Sequence, residues 1–243
     1  MEPGQFARHG AAASHVEALS VLNAALLGRL SFAPSEPSRT PHPPGRHRLG
    51  ISVDRDALLF VPPGLDPAIP APLFVMFHGA GGFPEKVLPF VEEHAERGRF
   101  LVLAPHSLYP TWDIVIGGHG PDLDRLGRAL GVVHDHHRIG RRAFAGYSDG
   151  ASYALSLGIT NGDIASHVIA FSGGFMSILS QAGAPQVFIA HGLQDEQLPI
   201  ATTGRANAAK LSAAGYDVQY VEFNGPHAIQ GAVVTMAVDF FLR

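Results

Sequence analysis

The sequence predicts an α/β fold built on a mainly parallel sheet with helices on both faces. Three observations carry this. Short apolar, β-type runs recur along the chain, and stretches with helical spacing lie between them. Parallel neighbours need a crossover connection, so strand and helix in alternation imply a sheet covered on both sides. The composition, 46% hydrophobic and 16% charged over 243 residues, is that of a chain able to bury a sizeable core.

In chain order, Ala11 to Leu30 places Val16, Leu19, Leu22, Leu26 and Leu30 at spacings of three and four, which predicts an amphipathic helix. Pro34, Pro37, Pro41, Pro43 and Pro44 then predict an extended connector, since proline lacks the amide hydrogen that a helix or ladder needs. The expected division is residues 1–45 as N-terminal helix and connector, and 46–243 as the folded α/β domain. His47 to Val53 and Ala57 to Val61 read as an opening hairpin. Leu73 to Phe77, Phe100 to Ala104, Arg142 to Ala145, His167 to Phe171, Gln186 to Ala190 and Val218 to Phe223 read as further strands. Pro84 and Pro121 suit first helical turns, and Leu123, Leu126, Leu130 and Val133 follow at helical spacing.

Composition also excludes whole classes. There is no cysteine, which removes disulfides, thiolate zinc sites and thiol nucleophiles. A net charge of −4 with no basic block longer than Arg141-Arg142 argues against a nucleic-acid partner. The apolar runs fall far short of the roughly 20 residues that cross a bilayer, so no membrane span is expected. Residues 1–32 lack a basic start and a clean apolar core, so no secretory signal is read and a cytoplasmic location is expected. Oligomeric state is left open. His134-Asp135-His136-His137 invites a metal reading, but no second ligand group of matching spacing is visible. A solvated helix end is expected there instead, and no metal site is assigned.

The chemistry concentrates in Gly146-Tyr147-Ser148-Asp149-Gly150, a β-type run ending in Gly-x-Ser-x-Gly and followed by small helical residues. A serine on a sharp strand-to-helix turn is pushed out of the sheet, while flanking glycines let the chain pass closely. The hydroxyl becomes nucleophilic only when a base takes its proton, so a histidine oriented by a carboxylate should follow in the order Ser, acid, His. Of the later histidines, His167 opens a strand and His191 closes one. His227 remains, in a loop between the last strand and the last helix. Asp195 is the expected acid, with its neighbour Glu196 as rival. His78-Gly79-Ala80-Gly81-Gly82 follows a buried strand, where glycines let backbone amides face a ligand. An amide of Ala80, with Gly81 as the alternative, would join that of Asp149 as the oxyanion donors.

His78-Gly79, Gly146 to Gly150, His191-Gly192 to Asp195 and Gly225 to His227 together resemble the α/β-hydrolase superfamily, in particular phospholipase/carboxylesterase and polyester-depolymerase-like esterases. The resemblance covers about residues 47–243. It implies an eight-stranded sheet, a Ser148/His227/Asp195 triad, hydrolysis of a small or polymeric ester through an acyl-enzyme, and no cofactor. Trp112-Asp113 resembles a Trp-containing loop that lines the cleft of such esterases, and Phe83, Tyr109 and Tyr147 are further expected wall residues. Serine at position 148 disfavours the dehalogenase, epoxide-hydrolase and dienelactone-hydrolase chemistries, which use Asp or Cys there. Only residues 172–185 separate two strands where many relatives insert a cap, so an uncapped cleft is expected. Polyester, feruloyl, thioester and peptide hydrolysis are the alternatives within this chemistry, and a non-catalytic binding protein is the alternative outside it.

Overall fold

The computed structural model describes residues 27–118 and 120–243. Eight strands run in chain order: β1 (Gly45–Arg48), β2 (Leu58–Val61), β3 (Ala71–Phe77), β4 (Leu101–Ala104), β5 (Ile139–Tyr147), β6 (His167–Phe171), β7 (Gln186–Gly192) and β8 (Val218–Phe223). They form one sheet in the order β1-β2-β4-β3-β5-β6-β7-β8. β1 and β2 are antiparallel to their neighbours, and β4 through β8 are parallel. The helices are α1 (Pro84–Val87), α2 (Glu92–Gly98), α3 (Asp113–Ile116), α4 (Pro121–His136), α5 (Asp149–Thr160), α6 (Gly204–Ala213) and α7 (Gly231–Leu242).

The continuous apolar run of β3 is explained by burial on both faces. Phe74 and Met76 pack with α2 and α7, whereas Leu73, Val75 and Phe77 pack with α4 and α5 on the other side. α6 covers β6 and β7 on that second side. The parallel order places the carboxyl ends of β3, β5, β6, β7 and β8 along one edge, where open α/β sheets bind ligands. Residues 172–185 carry no helix, so among the described residues no helix caps this edge between β6 and β7. Among the described residues no helix is long and apolar enough to cross a membrane.

Two expectations are corrected, and a third lies mostly outside the described residues. The opening hairpin is shorter than predicted, because Asp56 accepts from the amides of Gly50, Ile51 and Ala57 at 2.8–2.9 Å and curls 49–57 into a loop. The predicted helix over Ala11–Leu30 lies mostly outside the described residues; of its end, Leu27-Gly28 is a turn, with Gly28 at φ 75°. The histidines at the end of α4 are not a solvated set. His134 is 2% exposed beside Arg142, and His137 is 8% exposed with its Nε2 3.2 Å from His42 Nδ1. The Pro-rich connector buries them, because the amides of Ser38 and Arg39 both donate to the Asp135 carbonyl. Upstream, Leu30 enters the core and its amide donates to Asn161 Oδ1 at 2.9 Å.

Phe74 is fully buried against Phe100 and Phe241, with ring centroids 5.8 and 5.6 Å away. Phe74→Ala should cost about 3–5 kcal/mol of stability, measured by urea unfolding, because a cavity adds to the lost transfer energy. A loss below about 1 kcal/mol would mean that this layer is not close-packed.

Candidate active site

β5 is buried between β3 and β6 from Ala143 to Gly146 and ends at Tyr147; the next residue, Ser148, has φ 55° and ψ −121°. A non-glycine residue in this region costs on the order of 1–3 kcal/mol and persists only when its surroundings over-determine it. Here the Ser148 amide donates to the Phe171 carbonyl at 3.0 Å, and the Ser148 carbonyl accepts from Ala151 and Ser152 at 2.9 and 3.1 Å. The flanking glycines are required by contact. A Cβ at Gly146 would overlap the Gly150 carbonyl, and one at Gly150 would overlap the carbonyls of Phe77 and His78. Gly79 is less crowded, with room for a Cβ 3.2 Å from Ser148 Cβ after a small shift.

Ser148 Oγ lies 2.9 Å from His227 Nε2, and His227 Nδ1 lies 2.7 Å from Asp195 Oδ2. The structure therefore brings together the three side chains singled out in the sequence. Glu196 is exposed and takes no part. Asp195 is 6% exposed, and its Oδ1 accepts from the amides of Gln197 and Leu198 at 3.0 and 2.8 Å. Burial pushes its pKa up, but the Leu198 amide and the His227 imidazole outweigh this and hold the carboxyl below its ordinary value. His227 is seated by its own loop. Tyr147 Oη donates to the His227 carbonyl at 2.9 Å, with the two rings 5.0 Å apart. Gly192 allows the exit of β7 to touch the Gly225 and Pro226 carbonyls.

The loop after β3 is fixed from below. His78 Nδ1 donates to the Gly79 carbonyl at 2.8 Å, and Nε2 accepts from the Ser107 amide at 3.2 Å. Burial, with smaller contributions from His106 and Arg55, lowers the His78 pKa to about 4, so the ring is neutral as this bonding requires. The Gly81 amide is already committed to the Pro110 carbonyl at 2.7 Å. Among the described residues the amides of Ala80 and Asp149 make no hydrogen bond. Free amides beside a hydroxyl–imidazole–carboxylate relay can hold negative charge developing on a carbonyl oxygen.

Trp112 departs from its expected place. It is 1% exposed, stacks on Tyr153 and donates from Nε1 to the His78 carbonyl at 2.7 Å. It braces the loop from beneath and does not line the cleft, because the indole N–H finds its partner in the core. Phe83, Tyr109 and Phe175 stay 36%, 48% and 37% exposed on loops of the same sheet edge. A cavity of about 310 Å³ adjoins Phe83 alone of the three, and Gly81, Gly82, Arg48, Arg55 and His106 also line it. Among the described residues no group of three His, Asp or Glu side chains is arranged to hold a metal ion.

Several supporting residues escape sequence reasoning. Thr111 Oγ1 donates to Asp149 Oδ2 at 2.6 Å. Asp122 accepts from the amides of Leu108 and Asp113 at 2.7 and 2.9 Å, and so fastens the loop that carries Tyr109 to Trp112. His191 lies against Asp195, 3.0 Å from Oδ2. The only sequence signal for His191 is its place at a strand end four residues before the acid.

No protein-family model matches this chain, and no curated protein matches it. Solved structures do. An S-formylglutathione hydrolase from Staphylococcus aureus is similar with TM-score 0.61 at 14% identity, covering 78% of this chain and 93% of that one. A ferulic acid esterase from the anaerobic fungus Anaeromyces mucronatus gives 0.60 at 15%, covering 88% and 97%. A phospholipase/carboxylesterase from Dyadobacter fermentans gives 0.55 at 20%, covering 85% and 100%. At such identities the likeness concerns the fold, and the chain has the α/β-hydrolase fold.

Two outcomes are expected. Gly150→Ala should destabilise the protein by 1–3 kcal/mol or more, because the added methyl meets backbone that cannot turn aside; an unchanged melting temperature would contradict the crossing. Asp122, pushed up to about 6 mainly by burial, binds its proton more tightly in the folded state. Its contribution therefore grows as pH falls from about 6 toward 4 and is lost as pH rises through 6. Between about pH 7 and 4.5, wild type should gain stability relative to Asp122→Asn; parallel curves in denaturant melts would remove this assignment.

Proposed function

We propose that the protein is a serine carboxylesterase whose catalytic unit is residues 46–243. The observation that carries this is the continuous relay from Ser148 Oγ through His227 to Asp195, at 2.9 and 2.7 Å, beside the unpaired amides of Ala80 and Asp149. In the first stage Ser148 Oγ attacks the ester carbonyl carbon while His227 Nε2 takes the hydroxyl proton. The amides of Ala80 and Asp149 hold the resulting oxyanion, with the amino-terminal end of α5 adding its positive dipole. His227 then gives the proton to the departing alkoxide, leaving an acyl-enzyme on Ser148. In the second stage water loses a proton to His227 and attacks the acyl carbon, and Ser148 leaves with that proton. Asp195 keeps Nδ1 protonated and stabilises the imidazolium in both stages. No cofactor enters these steps.

A second reading within this chemistry, a polyester or feruloyl-type esterase, is favoured by the exposed Phe83, Tyr109 and Phe175 and by the uncapped edge. An open apolar rim admits a chain or an aromatic acyl group, and one of the similar structures is a ferulic acid esterase. Thioester and peptide hydrolysis use the same relay.

Fluorophosphonate should label Ser148. Ser148→Ala should lose labelling and drop p-nitrophenyl acetate turnover by on the order of 10⁴-fold or more with the fold intact. Asp195→Asn should cost about 10³- to 10⁴-fold, whereas Glu196→Gln should leave turnover within about twofold. An unlabelled Ser148 in the folded protein would instead support a binding protein on this scaffold, and a Glu196→Gln loss would move the acid by one residue.

A further inference from the structure

We propose that His191 is a positioning residue for this relay: its buried imidazole closes the turn that aims the Asp195 carboxylate at His227. The inference rests on reading Ser148, His227 and Asp195 as catalytic.

His191 is the penultimate residue of β7 and is fully buried. Its Nε2 lies 2.8 Å from the Leu198 carbonyl and 3.0 Å from Asp195 Oδ2. Both partners are acceptors, so Nε2 carries the hydrogen and donates to Leu198, with the carboxylate beside it. Leu198 is also the residue whose amide donates to Asp195 Oδ1 at 2.8 Å. One residue is thus gripped at both ends, its N–H by the acid and its carbonyl by His191. Without the imidazole, the 195–198 turn loses the bond that keeps its amides facing Asp195. Oδ2 meanwhile sits between two imidazoles, 2.7 Å from His227 Nδ1 and 3.0 Å from His191 Nε2.

The surroundings leave His191 no other position. Gly204, at the start of α6, lies flat on the ring; a Cβ there would come within 2.8 Å of His191 Cβ, Cγ and Nδ1. Thr203 Oγ1 stands 3.4 Å from Nε2 and donates to Pro199 at 2.9 Å, closing the other side. His191 Nδ1 is buried with no partner among the described residues, which is costly for a polar atom, so there only Nε2 is put to use. The residue is sealed away from the cleft and touches the chemistry only through Asp195 and Leu198. Its loss therefore belongs in the rate of the chemical step and not in substrate binding.

The test compares the rate of Ser148 labelling by fluorophosphonate, and kcat and KM for p-nitrophenyl acetate, in wild type, His191→Met, His191→Gln and Gly204→Ala. A misplacement of about 1 Å costs on the order of 10² in rate. His191→Met should accordingly lower kcat and the labelling rate by about 10- to 100-fold while KM stays within about twofold. His191→Gln, whose amide nitrogen can reach the place of Nε2, should recover most of the loss. Gly204→Ala, which displaces the ring and leaves all three relay residues intact, should fall between. The low-field proton resonance of the His227–Asp195 bond should weaken in His191→Met and persist in His191→Gln. A folded His191→Met with wild-type kcat overturns the proposal, as does a rise in KM at constant kcat. If His191→Met does not fold, Gly204→Ala with wild-type kcat overturns it. Failure of wild-type Ser148 to be labelled refutes the catalytic reading itself, a result distinct from any of these.

Discussion

The close crossing of three backbone segments at the carboxyl edge of the sheet is the constraint on which the site depends. Gly146 and Gly150 let the end of β5 and the start of α5 approach each other and the end of β3 to distances that side chains would forbid. That crossing holds Ser148 at φ 55° against a cost of about 1–3 kcal/mol, a sizeable share of the 5–15 kcal/mol by which domains are stable. The same crossing sets the amide of Asp149 at the head of α5 and brings the Ala80 loop beside the serine. The candidate nucleophile and the candidate oxyanion donors are thus placed by one piece of backbone geometry, with little left to side-chain rotamers.

The other half of the relay is held by different means. Asp195 and His227 sit on loops, and their aim comes from hydrogen bonds: Leu198 and Gln197 amides on the acid, Tyr147 Oη on the His227 carbonyl, and His191 behind the turn. Tyr147 links the two halves, since it precedes the serine in sequence and reaches the histidine loop in space. Hydrogen-bonded loops give way more easily than packed backbone, so the acid and base side is the softer of the two.

Much of this was legible in the sequence because it is written locally. Gly-x-Ser-x-Gly after an apolar run specifies a turn that only such residues can make, and chain order then singled out His227 and Asp195. Strand β6 was readable for the same reason, as an apolar run after His167, and β8 as a run of β-branched and aromatic residues interrupted by Gln219 and Glu222. What was not legible depends on contacts distant in the chain. Trp112 looks like a cleft aromatic until the His78 carbonyl, 34 positions away, captures its indole N–H. Ala80 and Gly81 are indistinguishable as donors until Pro110 takes one of them. His134 and His137 look like solvated helix-end residues until Phe32 covers the first and His42 of the connector meets the second. In each case a buried polar group found a partner that no spacing rule names.

The displacement of Trp112 into the core changes what can govern specificity. Had the indole lined the cleft, its wall would be tied to the core that also packs Phe77 and Tyr153, and substitution there would disturb fold and recognition together. Instead the exposed aromatics come from three separate loops: Phe83 after β3, Tyr109 after β4 and Phe175 after β6. Each is more than a third exposed, so each contributes little to folding. Under the proposed function, recognition is therefore separable from the machinery beneath it. The crowded glycines and the His78–Trp112 brace keep the reactive groups in place, and the loop aromatics can change to suit an ester without disturbing them.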